Sequence, residues 1–493
     1  MKLRFGSILV ALVSVLWGGF AFGAEIPVGT EIVWLRENGV TKTVYRITAE
    51  NNTPFKCFKQ ALSEATANDV IEVRDAVFGD AKESLSNNQL DVDKDVEIVL
   101  GKANTSIGIK DSSAFPLKFK ITNGAKVVFS NGYRICAQFE VKDGTLDLVG
   151  GQFFAPNVQD PIVLTSAADN DKESNVNISG AELLGIYEVK STTSQRYSSA
   201  AIKLNSKGLL TLRSASKIKA NEYYSYVKNM FYNGIVVLQG NAIVDGATIS
   251  VDTAGISIGD NENVYNGEGG SCVVSGTSIV SDGDGIFAMV GKTDELSATN
   301  SVIIALTNTT ISSLNSGVNL CVKGDGKGGD SKSRVICDGT TITTKNISSS
   351  AYAIRDNSDG AWWDVQIERG TFYRMNKASE KKWVVRAREG EVVSCVWNPT
   401  VGDDNLTLTV TREVSIKLDI VFHYHLDGDH GDCEQDIATT TNYFIPYGGS
   451  WDVSGIRPTV ANSNGVFKGW YATVNDAINH SNQAIFSLVW VQI

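Results

Sequence analysis

Histidine is nearly missing from this 493-residue chain: there are four, and none precedes position 423. Proline is scarce too, eight against 46 glycines, which suits many tight turns and excludes a proline-rich stalk. Beyond the first two dozen residues there is no apolar run of about 18, so nothing later reads as a membrane-spanning helix. Basic charge is in deficit, 44 Lys and Arg against 55 Asp and Glu, and a net charge of −11 argues against nucleic acid or an anionic membrane as the main partner. The seven cysteines are odd in number and scattered from Cys57 to Cys433, unlike the dense pairs of a small disulfide scaffold.

What is present begins with a leader. Lys2 and Arg4 precede an apolar run from Ile8 to Trp17 and small residues around Ala21-Phe22-Gly23-Ala24. That order is expected of a secretory signal peptide, residues 1–23, with cleavage after Gly23 or Ala24 and no nearby Cys to carry a lipid. The expected product is exported and carries no transmembrane segment.

The organising feature is a motif that returns about every 31 residues. Its clearest copies are Asp245-Gly246-Ala247-Thr248-Ile249, Ser275-Gly276-Thr277-Ser278-Ile279, Thr307-Asn308-Thr309-Thr310-Ile311, Asp338-Gly339-Thr340-Thr341-Ile342 and Arg369-Gly370-Thr371-Phe372-Tyr373. The anchors at 246, 276, 308, 339 and 370 are 30, 32, 31 and 31 residues apart, the spacing of a stacked repeat. Fainter anchors are Gly151, Gly180 and Ala215. Alternating apolar positions around each anchor predict strands, and the phase slips by one at the anchor itself, where Gly or Asn can take a bend. A second strand follows nine residues later, as in Gly255-Ile256, Gly285-Ile286 and Gly317-Val318. Cys337 occupies the place held by Ile178, Val244, Val274 and Leu306 in other units, so it is expected to be a buried apolar thiol. One unit cannot bury its own apolar face, whereas stacked units form a continuous core; eight anchors at ~4.8 Å would extend on the order of 35 Å. Thr53-Pro54-Phe55 to Ala67 has an N-cap, a first-turn Pro and apolar residues at 55, 58, 62 and 65, and predicts a helix over the open first coil.

On these features, with Asp69-Val70-Ile71-Glu72-Val73 beside them, residues 50–400 resemble the pectin-lyase-like superfamily. The resemblance implies an all-β chain, a right-handed parallel β-helix with an N-terminal capping helix. Residues 24–50 are assigned to N-terminal strands and 51–400 to the β-helix. From Val414 the pattern changes, and Ile420-Val421-Phe422, Ile445-Pro446-Tyr447-Gly448, Phe467-Lys468-Gly469-Trp470-Tyr471 and Leu488-Val489-Trp490 resemble an internalin-type B repeat. That second likeness implies a small β-grasp-like module over 413–493, of a kind found in bacterial surface and secreted proteins. It implies a spacer or interaction role, not an enzyme.

Chemistry is sparse. Asp252 and Asp282 each lie six residues past an anchor, so adjacent coils would place them ~5 Å apart, a distance that suits a carboxylate pair or a shared cation such as Ca²⁺. Asp284 is close by, and Lys345 holds the same repeat position two coils on. The same stretches, Asp252-Thr253-Ala254-Gly255 and Asp282-Gly283-Asp284-Gly285, are also ordinary turn sequences. Enzymes of the resembled superfamily mostly cleave polysaccharides, but the Gly-His-Gly signature of its polygalacturonase-type members is missing, as is their Arg-Ile-Lys motif. His423, His425 and His430 stand beside Asp427, Asp429 and Asp432 in the tail; with no second shell identifiable, no metal ligand is assigned. The corner-to-strand distance grows to 21 residues from Gly180 to Ala201 and to 19 from Ala215 to Gly234. These insertions carry Tyr187, Arg196 and Tyr197, then Tyr223, Tyr224, Tyr226 and Tyr232, and should emerge side by side. Flat rings with a hydroxyl suit sugars or a protein epitope, or they pack on one another to hold the loops; Trp362 and Trp363 invite the same two readings. The functional expectation is a secreted or cell-surface protein that binds a polysaccharide or a surface protein. A polysaccharide lyase or glycoside hydrolase acting on an acidic glycan is the alternative.

Overall fold

The computed structural model describes residues 26–79, 84–101, 105–110, 113–130, 134–156, 160–166, 172–185, 187–191, 194–220, 231–259, 265, 270–291, 301–323, 333–345, 351–357, 363–375, 383–384, 391–399, 406–423, 436–446, 450–452 and 487–489. Its body is a β-solenoid, a parallel β-helix in which each coil contributes a strand to three ladders. One ladder precedes the anchor: Gly144–Val149 pairs in parallel with Ala125–Ser130 and Ser174–Ser179, and the stack continues through Gly270–Ser275 and Val302–Thr307. The next follows the anchor, from Gln152–Phe154 through Glu182–Gly185, Lys217–Ala220, Thr248–Val251 and Ser278–Ser281 to Thr310–Ser313. The third contains Ala254–Ile258, Asp284–Gly291, Val318–Lys323 and Ile354–Asp356. Of the weak anchors, Gly180 and Ala215 fall in the same register as Gly246, Gly276, Asn308 and Gly339, whereas Gly151 lies one position late, Gly150 being the residue level with Gly180, and Gly370 pairs with Thr340, one past Gly339.

The phase slip has a backbone cause. Gly180, Ala215, Gly246, Gly276, Asn308 and Gly339 have φ of +63°, +64°, +61°, +52°, +47° and +63°. A left-handed residue turns the chain without spending a strand position, so apolar side chains on both sides of it point inward. Ile249, Ile279, Ile311 and Ile342 form one fully buried row. Beside them the buried hydroxyls of Ser216, Thr309 and Thr340 donate to the carbonyls of Ile178, Val274 and Leu306 on the preceding coil, at 3.4, 3.1 and 3.0 Å. This lets polar residues sit in the core without an unsatisfied group. Ala215 is the one anchor of this set with a Cβ that gains nothing from the left-handed region. Ala215→Gly is expected to raise stability by about 1 kcal/mol, read as a higher urea midpoint at unchanged slope.

Cys337 is completely buried, as expected, and so are Cys136 and Cys272 to within 1 %. Burial pushes all three thiols up to about 12, so they serve as small apolar fillers. Near the first coils the interior is filled by rings: Phe119 and Phe139 stack with centroids 5.5 Å apart, and Phe129 and Phe153 meet them edge-on.

Both ends are closed against strand addition. At the start, β1 (Glu31–Glu37) and β2 (Val40–Arg46) form an antiparallel hairpin, and β1 also pairs antiparallel with β3 (Asp69–Val73), the first strand of the solenoid. The helix α1 (Pro54–Glu64) begins where the sequence places it, with Thr53 as N-cap accepting from the Lys56 amide, and ends three residues sooner than expected. It plugs the open coil through Cys57, Phe58, Ala61 and Leu62, Phe58 meeting Phe119 at 6.1 Å. The strand edge itself is covered by β1, so sealing is shared between hairpin and helix. At the far end Leu406–His423 pairs antiparallel with Trp363–Met375, then with Glu391–Pro399 and Asp436–Pro446. Residue 413 lies inside this continuous strand. Farther on, Ser450–Asp452 pairs with Ser487–Val489.

Candidate functional site

The register brings Asp252 and Asp282 onto adjacent coils: they follow Val251 and Ser281, which pair directly, and the Asp282 amide donates to the Val251 carbonyl at 3.1 Å. The next rung places exposed Leu314 at the same position, and Lys345 follows it, also exposed. Lys345 is thus two coils from Asp282, ~10 Å along the stack, with an apolar side chain between them. The two aspartates stand on adjacent coils; the base does not join them.

Asp284 is spoken for by the structure. Its carboxylate accepts from the Ser316 amide at 2.9 Å and from Asn319 Nδ2 at 2.8 Å. Burial pushes its pKa up, while these two donors and the charge of Arg355 act in the opposite direction. Such bonding makes it a brace for the next coil, not an open acid. Among the described residues no group of three or more His, Cys, Asp or Glu could hold a metal ion. Asp245 and Asp338 occupy the same corner three coils apart; Asp245 accepts from Ser275 at 2.5 Å, and Asp338 pairs with Arg369 at 2.5 Å.

The two long insertions do leave the solenoid side by side. Tyr187–Ser191 pairs antiparallel with the start of Ser194–Leu212, setting Tyr187 opposite Tyr197 and Glu188 opposite Arg196. The second stem begins at Phe231 and lies parallel to the first, Ser198 opposite Phe231 and Ala200 opposite Asn233, so Tyr232 falls within the paired stem. At this base Ala200, Val236 and Leu238 form a small buried cluster separate from the main core. Tyr223, Tyr224, Tyr226 and Trp362 lie outside the described residues, as do His425 and His430. No family model, no curated protein and no solved structure matches the chain.

Trp363 requires a correction. It is paired with Ser333 in the first ladder, points inward and is 2 % exposed, so its ring is core and not a ligand platform. A tandem Trp pair looks like a loop feature in sequence, but the second of the pair starts a strand in inward register.

Sequence reasoning also missed a polar relay outside the third ladder. Asn319, which bonds Asp284, accepts from Asn357 Nδ2 at 3.0 Å, and Asn357 Oδ1 accepts from Arg355 Nε at 2.9 Å. Cys321 lies within 3.6 Å of both amides. In the sequence Asn319 follows Gly317-Val318 with nothing to mark it, since its partners Asp284 and Asn357 come from other coils.

Proposed function

We propose that the chain is a secreted or cell-surface bacterial protein of the pectin-lyase-like type whose role is adhesion or binding of a glycan or protein, without catalysis. The observation that carries this reading is the pair of adjacent insertions with paired stems, a local departure from the nine-residue spacing that three other coils keep. A regular coil needs neither the extra residues nor their aromatic content to be stable, and loops carried on a rigid scaffold are where recognition is most often built. The leader-like N-terminus and the B-repeat-like tail support export and a spacing or docking role for the C-terminal module.

The test is binding of the full chain to a glycan array and to intact cells, with Tyr223, Tyr224 and Tyr226 replaced together by Ala. Binding is expected to fall at least tenfold while the far-ultraviolet spectrum stays unchanged. Undiminished binding by the triple variant rejects the proposed face. The stacking of Asp252 on Asp282 favours one second reading, a lyase or hydrolase acting on an acidic glycan. That reading requires cleavage that disappears in Asp282→Asn.

A further inference from the structure

The relay on the outer face of the third ladder has the construction of a binding site. Phe287, Asn319 and Arg355 occupy one outward row on three successive coils, ~4.8 Å apart per step. All three are half-buried, so they line the wall without closing over it. Arg355 is held from behind: its Nε donates to Asn357, Asn357 donates to Asn319, and Asn319 donates to Asp284, which a backbone amide fixes in turn. Each link uses a neutral amide, so the guanidinium is oriented without its charge being cancelled by direct pairing. Among the described residues no bond is made by its two terminal nitrogens. A guanidinium fixed through Nε presents those two nitrogens as a planar fork, which matches the two oxygens of a carboxylate or sulfate.

We infer that Arg355, backed by Asn357 and Asn319, is a binding site for an oxyanion group, a carboxylate or a sulfate, borne by a ligand lying along the third ladder. Phe287, at the opposite end of the row, offers a flat edge ~10 Å away for the ligand's apolar portion. Among the described residues two groups oppose an anion there: Asp284, screened behind Asn319, and Asp356, next to Arg355 but in the row that continues from inward Leu320. The fork points to geometry, not net positive charge, as the source of selectivity. Arg355 lies four coils along the third ladder from Val236 of the second stem, and among the described residues none of its bonds involves that stem, so the site does not depend on the proposal made for the insertions.

The experiment is calorimetric titration of the full chain with sodium glucuronate, sodium sulfate and glucose at constant ionic strength. At least one anion is expected to bind and glucose is not; glucuronate alone would identify a carboxylate site, and sulfate alone a sulfate site. Arg355→Gln should abolish binding. Arg355→Lys should lose most of it, because a point charge lacks the fork, and Asn357→Ala should weaken it several-fold by freeing the guanidinium. Thermal melts of each variant confirm the fold. Replacing the three tyrosines by Ala should leave anion binding unchanged, which separates failure here from failure there. The inference is overturned if neither anion binds, if glucose binds equally, or if Arg355→Gln binds as well as the wild type.

Discussion

Replacing Gly285 by Ala is expected to destabilise the chain by about 3 kcal/mol, near the upper end for overpacking, and to do so locally. Gly255, Gly285 and Gly317 start the third strand of consecutive coils, and each faces an isoleucine of the second ladder one coil on. A Cβ on Gly285 would overlap Ile311 Cγ2 and come within 2.6 Å of the Gly317 carbonyl. The methyl belongs to a fully buried side chain and the carbonyl to the next coil, so neither can move without opening the stack. Gly276→Ala is the matched control: its φ is +52°, but the nearest atoms to a new Cβ are 3.8 Å away, so only the left-handed backbone is penalised, at roughly 1–2 kcal/mol. Urea denaturation followed by circular dichroism gives the comparison. Hydrogen exchange should show the loss of protection centred on the coils that flank residue 285, because each repeat contacts only its neighbours. If Gly285→Ala costs no more than Gly276→Ala, the packing account of the glycine row is wrong.

That row also shows where sequence reading succeeds and where it stops. Periodicity exposed the anchors and the Ile249, Ile279, Ile311 and Ile342 row because one physical demand, an inward apolar side chain beside a left-handed turn, recurs at a fixed interval. It exposed Gly255, Gly285 and Gly317 as strand starts without their reason, since the atoms that forbid a side chain come from another coil. Where the interval changes, register is lost. Gly317 stacks on Gly285 after 32 residues, but the next residue in that row is Ala353, 36 residues farther. That lengthened coil hid the alignment of Asn319 with Arg355. The same limit affects Trp363, which only its pairing with Ser333 shows to be interior. Asp252 and Asp282 were legible because their coils keep the period, and the separation of Lys345 from them was legible in number of coils but not in the leucine that intervenes.

The closing strand should be as sensitive as the core it covers. Arg412 lies on the strand that pairs with the last coil, and its side chain is 2 % exposed. Its Nη2 is 2.7 Å from Glu368, its Nη1 is 2.6 Å from Glu391, and its Nε donates to the Glu368 carbonyl at 2.6 Å. One cation thereby joins three strands: that of Glu368 in the last coil, that of Glu391, and its own. Arg412→Met keeps the length of the side chain but removes the cation that two largely buried carboxylates share. The expected loss is about 3–5 kcal/mol, the cost of breaking a buried pair by removing one partner. Adding Glu368→Gln and Glu391→Gln to that variant should recover a large part of the loss, since neutral amides need no counter-charge; a merely steric role for Arg412 predicts no recovery. Because Leu406–His423 covers the edge of the terminal coil through pairs such as Phe372 with Leu408, loosening it should expose that edge. The single variant is therefore expected to scatter light at temperatures where the wild type and the triple variant remain clear. A single variant that stays clear and loses less than about 1 kcal/mol would mean that backbone pairing alone holds the cap, with the ion triad contributing no more than an exposed pair would.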